Sequence, residues 1–242
     1  KILIVGSGAR EHAICRSVFR SNKPKEIFCI GSNNNPGIMS LCSNFHIDNI
    51  NNPKTVLDFV KEMECSVAII GPENPLEEGV VDALERYGVN VVGPKRKLAQ
   101  IETSKSFTRN LLNEFEIPGS PQYQIFDSLV GAKGFLKELG NEFVVKYDGL
   151  AGGKGVKVSG EHLQSHEEAL IYCQNLLNTG GSFVIEEKII GEEFSLMSFC
   201  DGNELRHMPI IQDHKRAYEG DTGPNTGGMG TYSDANHSLP FL

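Results

Sequence analysis

Glu142-Phe-Val-Val-Lys-Tyr-Asp-Gly-Leu-Ala-Gly-Gly-Lys-Gly-Val-Lys-Val158 is the stretch on which the reading of this chain turns. Between residues 146 and 156 it holds four glycines and two lysines. The apolar runs on either side have strand character, so the glycines are expected at the tip of a β-hairpin and not ahead of a helix. A Walker loop, G-x4-G-K-[S/T], opens a helix and supplies a hydroxyl to magnesium. Here Gly149 lies one residue too close to Gly153-Lys154, and Gly155 stands in the hydroxyl position. What remains is a backbone free to bring N–H groups close to phosphate oxygens, with Lys146 and Lys154 as compact cations. The alternative is a hairpin tip with solvated lysines.

At 242 residues the chain is long enough for one large or two modest domains. The 23 Lys and Arg against 31 Asp and Glu give a net charge of −8, so no overall basic field draws it to nucleic acid or anionic lipid. Six cysteines without C-x-x-C spacing suggest reduced thiols in a cytoplasmic protein. No apolar run reaches membrane-spanning length.

Outward from the hairpin, the chain opens with Ile2-Leu-Ile-Val5, a run suited to a strand buried on both faces. Gly6-Ser-Gly-Ala-Arg10 then turns it into a helix ending near Phe19. Glu11 occupies the third glycine position of a G-x-G-x-x-G fingerprint, and the second strand, residues 26–30, ends in Gly31-Ser32 without a ribose-binding carboxylate, so dinucleotide binding is disfavoured. Residues 33–37 read as a loop and 53–64 as a helix with Val56, Phe59, Val60 and Met63 on one face. Further strands follow at 66–70 and 89–92, with a helix between them that ends at Tyr87. This alternation predicts a doubly wound, mostly parallel α/β sheet, with ligands outside the C-terminal strand ends, where Gly8, Arg10 and Glu73 fall.

Residues 97–115 read as helical, 123–126 as a strand and 128–139 as a helix. Ser165-His-Glu-Glu168 is a capping box for a helix to Leu177. His162 and His166 have metal-ligand spacing, but the helix is expected to start between them, which favours an exposed pair without metal. Residues 182–187 and 192–199 read as strands, the latter half-buried by its alternation. The region 212–230 reads as irregular; in it Asp213, Lys215 and Arg216 suit anions or metal-bound phosphates, and glycines again permit close backbone approach. A solvated charge run followed by a linker is the alternative. No serine nucleophile elbow supports Ser-His-Asp catalysis.

Together, Gly6-x-Gly8-x-Arg10-Glu-His-Ala13, Gly71-Pro-Glu73, Ser104-Lys-Ser-Phe107, Val145 to Val156, Glu186-Glu187, Gln212-Asp-His-Lys-Arg216 and Asp221-Thr-Gly-Pro-Asn-Thr-Gly-Gly-Met-Gly230 resemble the phosphoribosylamine-glycine ligase (glycinamide ribonucleotide synthetase) family of the ATP-grasp superfamily. The resemblance covers essentially the whole chain, and the last two motifs are its most specific part. It implies a Rossmann-like parallel-sheet domain over residues 1–103, then an incomplete ATP-grasp α+β unit over 104–242 with a small lid subdomain at about 120–188. By the same resemblance Lys105 and Lys146 hold the nucleotide phosphates, and Gly152, Gly153, Lys154 and Gly155 form the loop over them. The hinge Glu186, Glu187 and Ile189 meets adenine through its backbone, and Glu193 takes the ribose hydroxyls. Independently, a strand ending in two glutamates with another carboxylate seven residues after Glu186 could accept a base and its sugar.

The implied chemistry is ATP-dependent joining of glycine to 5-phosphoribosylamine through a glycyl phosphate, giving glycinamide ribonucleotide, ADP and phosphate in purine biosynthesis, with Mg2+ or Mn2+. Such a transfer needs positioning and charge neutralisation more than a covalent protein nucleophile. Lys146, Asp213, Lys215 and Arg216 are the implied catalytic set. Asp213, Gly227 and Gly228 are assigned to substrate, while Gly8, Arg10 and Glu73 would hold phosphoribosylamine. The family continues further, and its Glu and Asn metal ligands lie in that later part. The chain is therefore expected to be an N-terminal fragment with no metal ligands of its own, negligible turnover and exposed apolar surface. Rival readings are a nucleotide-binding module without catalysis and an ATP-grasp ligase acting on another carboxylate. The oligomeric state is left open.

Overall fold

A computed structural model describes residues 1–151 and 155–242. It divides into two compact units, Lys1–Glu187 and Lys188–Leu242.

The first unit begins with β1 (Ile2–Val5), α1 (Ala9–Phe19), β2 (Ile27–Gly31), α2 (Pro36–Met39), β3 (Asn44–Ile47), α3 (Pro53–Met63), β4 (Val67–Ile70), α4 (Glu73–Glu77), α5 (Val80–Tyr87) and β5 (Asn90–Val92). These strands pair in parallel in the order β3-β2-β1-β4-β5. Alternation along β1 places Leu3 and Val5 in one core with Val56, Val60, Val80 and Leu84, and Ile4 in another with Cys15, Cys29 and Ile38. Helices therefore cover both faces of the sheet, as in the predicted doubly wound arrangement. Asn52 caps α3 by accepting from the Lys54 N–H at 2.9 Å. Two elements depart from the sequence reading. Residues 33–37 run into the short helix α2, whose cap Asn35 accepts from the Ile38 N–H. Strand β3, in a stretch to which the sequence reading assigns no element, is the sheet's edge on this side.

The chain continues with α6 (Arg96–Thr103), α7 (Lys105–Glu114), β6 (Tyr123–Phe126), α8 (Ala132–Leu139), β7 (Phe143–Tyr147), β8 (Val156–Val158), α9 (His166–Asn178) and β9 (Phe183–Glu187). The single helix read over 97–115 is broken at Ser104, which ends α6 in extended conformation and caps α7 by accepting from Phe107 N–H at 3.1 Å. Strands β6, β9, β7 and β8 form an antiparallel sheet in that order. In it β7 and β8 pair with Lys146 opposite Val156, which gives the hairpin the sequence predicts. One sheet face packs Phe126, Val145, Phe183 and Ile185 against Phe135 and Leu136 of α8 and Cys173 of α9. At the start of α9, Ser165 Oγ accepts from Glu168 N–H, but the Glu168 carboxylate reaches Gln164 N–H, one residue before the cap. His162 Nδ1 accepts from Val158 N–H, and His166 Nε2 lies 2.6 Å from the Gly140 carbonyl oxygen, so the two rings are engaged separately.

The second unit holds two antiparallel hairpins, β10 (Ser198–Cys200) with β11 (Leu205–His207), and β12 (Gln212–Tyr218) with β13 (Thr222–Tyr232). The half-buried strand read over 192–199 is corrected: only its last two residues enter β10, whose residues are all exposed. The irregular reading of 212–230 is likewise corrected to a paired hairpin, with register shifts on either side of Arg216. Among the described residues no helix is long and apolar enough to cross a membrane.

Candidate phosphate-binding site

The lysine of β7 and the glutamate of β9 meet because of strand alternation. Val144 faces Glu186 and Lys146 faces Val184 across the β7–β9 ladder, so Lys146 and Glu186 are diagonal neighbours on the face turned away from the α8–α9 core. Helix α7 contributes to that face. Its Arg109 places Nε and an Nη at 2.9 and 2.8 Å from Glu186 Oε2, while Lys146 Nζ pairs with Oε1. The Glu186 carboxylate is therefore buried between two cations.

One turn before Arg109, Lys105 projects from the first turn of α7 and donates to the Gly149 carbonyl at 3.0 Å. Burial is the largest influence on this lysine and lowers its pKa from the ordinary 10.5; Asp148 opposes the shift and the Lys146 charge adds to it. An anion beside it would offset that burial and favour the charged form. Asp148, at the hairpin base, accepts from Ser104 Oγ and Ser106 N–H at 3.1 Å each, from Ser106 Oγ, and from Ser182 Oγ at 3.3 Å. Burial alone would raise its pKa, but the bonds from Ser106 and Ser104 outweigh it and hold the carboxyl below the usual 3.8. Asp148 thereby fastens the base of the glycine hairpin to the start of α7 and fixes where Lys105 stands. Beside it opens a cleft of about 480 Å³, lined by Glu77, Arg96, Gln100 and Thr103 on one side and by Tyr147, Asp148 and Leu150 on the other.

Of the residues singled out from sequence, Lys105, Lys146 and Glu186 thus come together. Gly155 lies at the hairpin base, where its carbonyl accepts from Tyr147 N–H at 2.7 Å. Gly152, Gly153 and Lys154 lie outside the described residues. Glu187 exchanges bonds with Gln122, its N–H donating to the Gln122 carbonyl and its carboxylate accepting from Gln122 N–H. Arg10 and Glu73 meet across the β1 and β4 ends: the guanidinium donates to Glu73 Oε1 at 3.1 Å and to the Gly71 carbonyl at 2.9 Å. Gly8 donates its N–H to Glu11 and not outward.

In the second unit, Ile189 is exposed, and Glu193 pairs with Lys215. Arg216 donates to the Gly223 carbonyl at 2.8 Å. Asp213 lies so near Gly228 that a Cβ there would sit 3.0 Å from Oδ1, and Gly227 is exposed. Sequence reasoning passed over Arg109 and Asp148. Arg109 was accessible from its i, i+4 spacing to Lys105 on one helix face, and Asp148 from its place between Lys146 and the glycines.

Lysines from a helix and a glycine hairpin, set on an antiparallel sheet that follows a parallel α/β domain, define an ATP-grasp protein. Residues 1–102 match the family model for the phosphoribosylglycinamide synthetase N domain, and residues 103–240 the model for its ATP-grasp (A) domain. The chain belongs to the phosphoribosylglycinamide synthetase family. It is 46% identical over 242 residues to phosphoribosylamine–glycine ligase of Methanosarcina barkeri, covering all of this chain and 55% of that one. The crystal structure of phosphoribosylamine–glycine ligase from Thermotoga maritima superposes with a TM-score of 0.77 at 28% identity, over 95% of this chain and 54% of the other. N5-carboxyaminoimidazole synthetase from Staphylococcus aureus, solved with ADP, shares the fold at 16% identity with a TM-score of 0.68, over 89% and 55%. The chain thus spans about half the length of the relatives it matches.

Proposed function

We propose that this chain provides the nucleotide-phosphate grip of a cytoplasmic ligase that uses ATP to join glycine to 5-phosphoribosylamine, releasing ADP and phosphate. The observation that carries the reading is the convergence of Lys105 and Lys146 at the foot of the glycine hairpin, one desolvated and the other balanced on buried Glu186. In a family whose relatives bear the ligase name, that pair fits a polyphosphate. ATP supplies the phosphoryl group that makes a carboxylate reactive toward an amine. The protein's part is to hold and neutralise the phosphates with Lys105, Lys146 and the loop of Gly152, Gly153, Lys154 and Gly155. We assign adenine to the backbone of Glu186, Glu187 and Ile189, ribose to Glu193, and phosphoribosylamine to Gly8, Arg10 and Glu73. Asp213, Lys215, Arg216, Gly227 and Gly228 are assigned to substrate and phosphate. A division into domains at 1–103 and 104–242 is part of the same reading. Among the described residues no three His, Cys, Asp or Glu side chains gather in a way that could hold Mg2+.

Calorimetry on the 242-residue protein tests the grip. ATP should bind, Lys146→Ala should weaken binding by about tenfold or more, as loss of a charged phosphate contact implies, and Lys105 should make binding take up protons as pH rises toward its lowered pKa. Unchanged affinity in Lys146→Ala would overturn the assignment. Glycine-dependent ADP release is to be read in a polypeptide with the full length of the relatives.

A further inference from the structure

Three of the six cysteines gather on one face of the parallel sheet, away from the lysines. Cys15 on α1 and Cys29 on β2 are fully buried in the core with Ile4, Ile27 and Ile38, while Cys42, in the turn after α2, packs against that core and stays partly exposed. Cys15 Sγ and Cys42 Sγ stand 3.8 Å apart. Cys29 directs its thiol at the Gly6 carbonyl oxygen at 3.3 Å. Helix α2, which precedes that turn, is held to the segment before α1 and to α1 itself, because Asn35 donates to the Ser7 carbonyl at 2.9 Å and Gly37 lies against the His12 ring.

We propose that Cys15 and Cys42 are a modification site, a thiol pair that a hydroperoxide converts reversibly into a disulfide. The sulfurs need to close by just under 2 Å to reach bonding distance of about 2.05 Å, and Cys42 sits in a surface turn that can supply the movement. Accessibility and acidity both select Cys42 as the attacking sulfur. Cys42 is partly exposed, whereas burial pushes the Cys15 thiol up to about 12. The Cys42 thiolate attacks a peroxide oxygen, forming S–OH and expelling alkoxide or hydroxide, which takes a proton from water. Cys15 sulfur then attacks the Cys42 sulfur; the S–S bond forms and hydroxide leaves with the Cys15 proton as water. The two thiols lose two electrons and two protons, and the peroxide is reduced. Such a bond is compatible with a reducing compartment because cytosolic disulfides are typically transient and sensory.

The test uses reduced full chain, hydrogen peroxide and alkylation of remaining thiols. Trypsin followed by cleavage at Met39 puts Cys15, Cys29 and Cys42 on separate peptides. The expected product links the Cys15 and Cys42 peptides with a mass lower by two hydrogens, and dithiothreitol releases it. Cys29→Ser should retain the link, whereas Cys15→Ser should leave Cys42 as a sulfenic acid trapped by dimedone. A Cys29–Cys42 link would overturn the proposal, as would Cys42 sulfinic acid with Cys15 alkylated, or both thiols left alkylatable once exposed Cys200 is oxidised. The wild-type map decides the matter even where a variant fails to fold.

Discussion

Replacing Glu186 tests whether the buried carboxylate holds the phosphate-site cations in place. Its side chain is 4% exposed, and its partners Arg109 and Lys146 are 19% and 24% exposed. Removing one member of a buried ion pair costs about 3–5 kcal/mol, because the partner charge is left uncompensated. Here two cations are stranded, but each reaches water along part of its length, which places Glu186→Ala near the lower end, about 3 kcal/mol. Glu186→Gln keeps the volume and one acceptor for Arg109 but turns an amide N–H toward Lys146, so about 2 kcal/mol is expected. For a unit of this size these losses correspond to a fall in Tm of about 6–12 °C for the alanine variant and proportionately less for glutamine. Urea unfolding followed by circular dichroism measures both, and a double-mutant cycle with Arg109→Met isolates the pair. Losses under about 1 kcal/mol in both variants, with no coupling to Arg109, would show that the carboxylate is not the anchor.

Asp148→Asn removes charge from a site with three hydroxyls and one N–H pointing at it, and should cost about 1–2 kcal/mol near neutral pH. The folded-state pKa is depressed, so this contribution is complete above the unfolded carboxyl value of about 3.9 and fades as pH falls below it through the lower folded value. Wild type and variant should therefore converge in acid; a gap that widens below that pH would count against the assignment. Gly71→Ala would set a Cβ 2.1 Å from Glu11 Oε1, and should cost about 2 kcal/mol by displacing the carboxylate. Most of that loss should vanish in a Glu11→Ala background, and additive losses by thermal unfolding would place the strain elsewhere.

What could be read from sequence divides along burial. Runs such as Ile2-Leu-Ile-Val5 and the 53–63 helix face declare themselves because burial forces apolar residues into one period. Strand β3 is Asn44-Phe-His-Ile47, an edge with mostly exposed residues, and no buried face marks it. The second unit inverts expectation for the same reason. Alternation at 192–199 looked like a half-buried strand where the side chains are largely exposed, and the glycine-rich 222–232 stretch pairs as a strand despite its low intrinsic β preference. Lys105 and Lys146 were legible as chemistry but their meeting was not, since it depends on the β7–β9 register.

Glu11 connects the sequence's departure from a dinucleotide fingerprint to its physical consequence. A third glycine would leave room between the first turn of α1 and the ends of β1 and β4. Glu11 instead fills it: its side chain is buried, a Cβ at Gly6 or Gly71 would lie within 2.7 or 2.1 Å of it, and Oε2 accepts from Gly8 N–H at 2.6 Å. The backbone donor that a helix N-terminus would offer a pyrophosphate is thereby spent on an internal carboxylate, and the negative charge beside it repels a second anion. Arg10 stands just outside this plug, held by Glu73 and the Gly71 carbonyl. In the proposed reading, a phosphate ligand at this edge would take the place of Glu73 as the partner of Arg10. Glu11 and Glu186 are thus both buried carboxylates that take up donors, Glu11 a backbone N–H and Glu186 the side chains of Arg109 and Lys146.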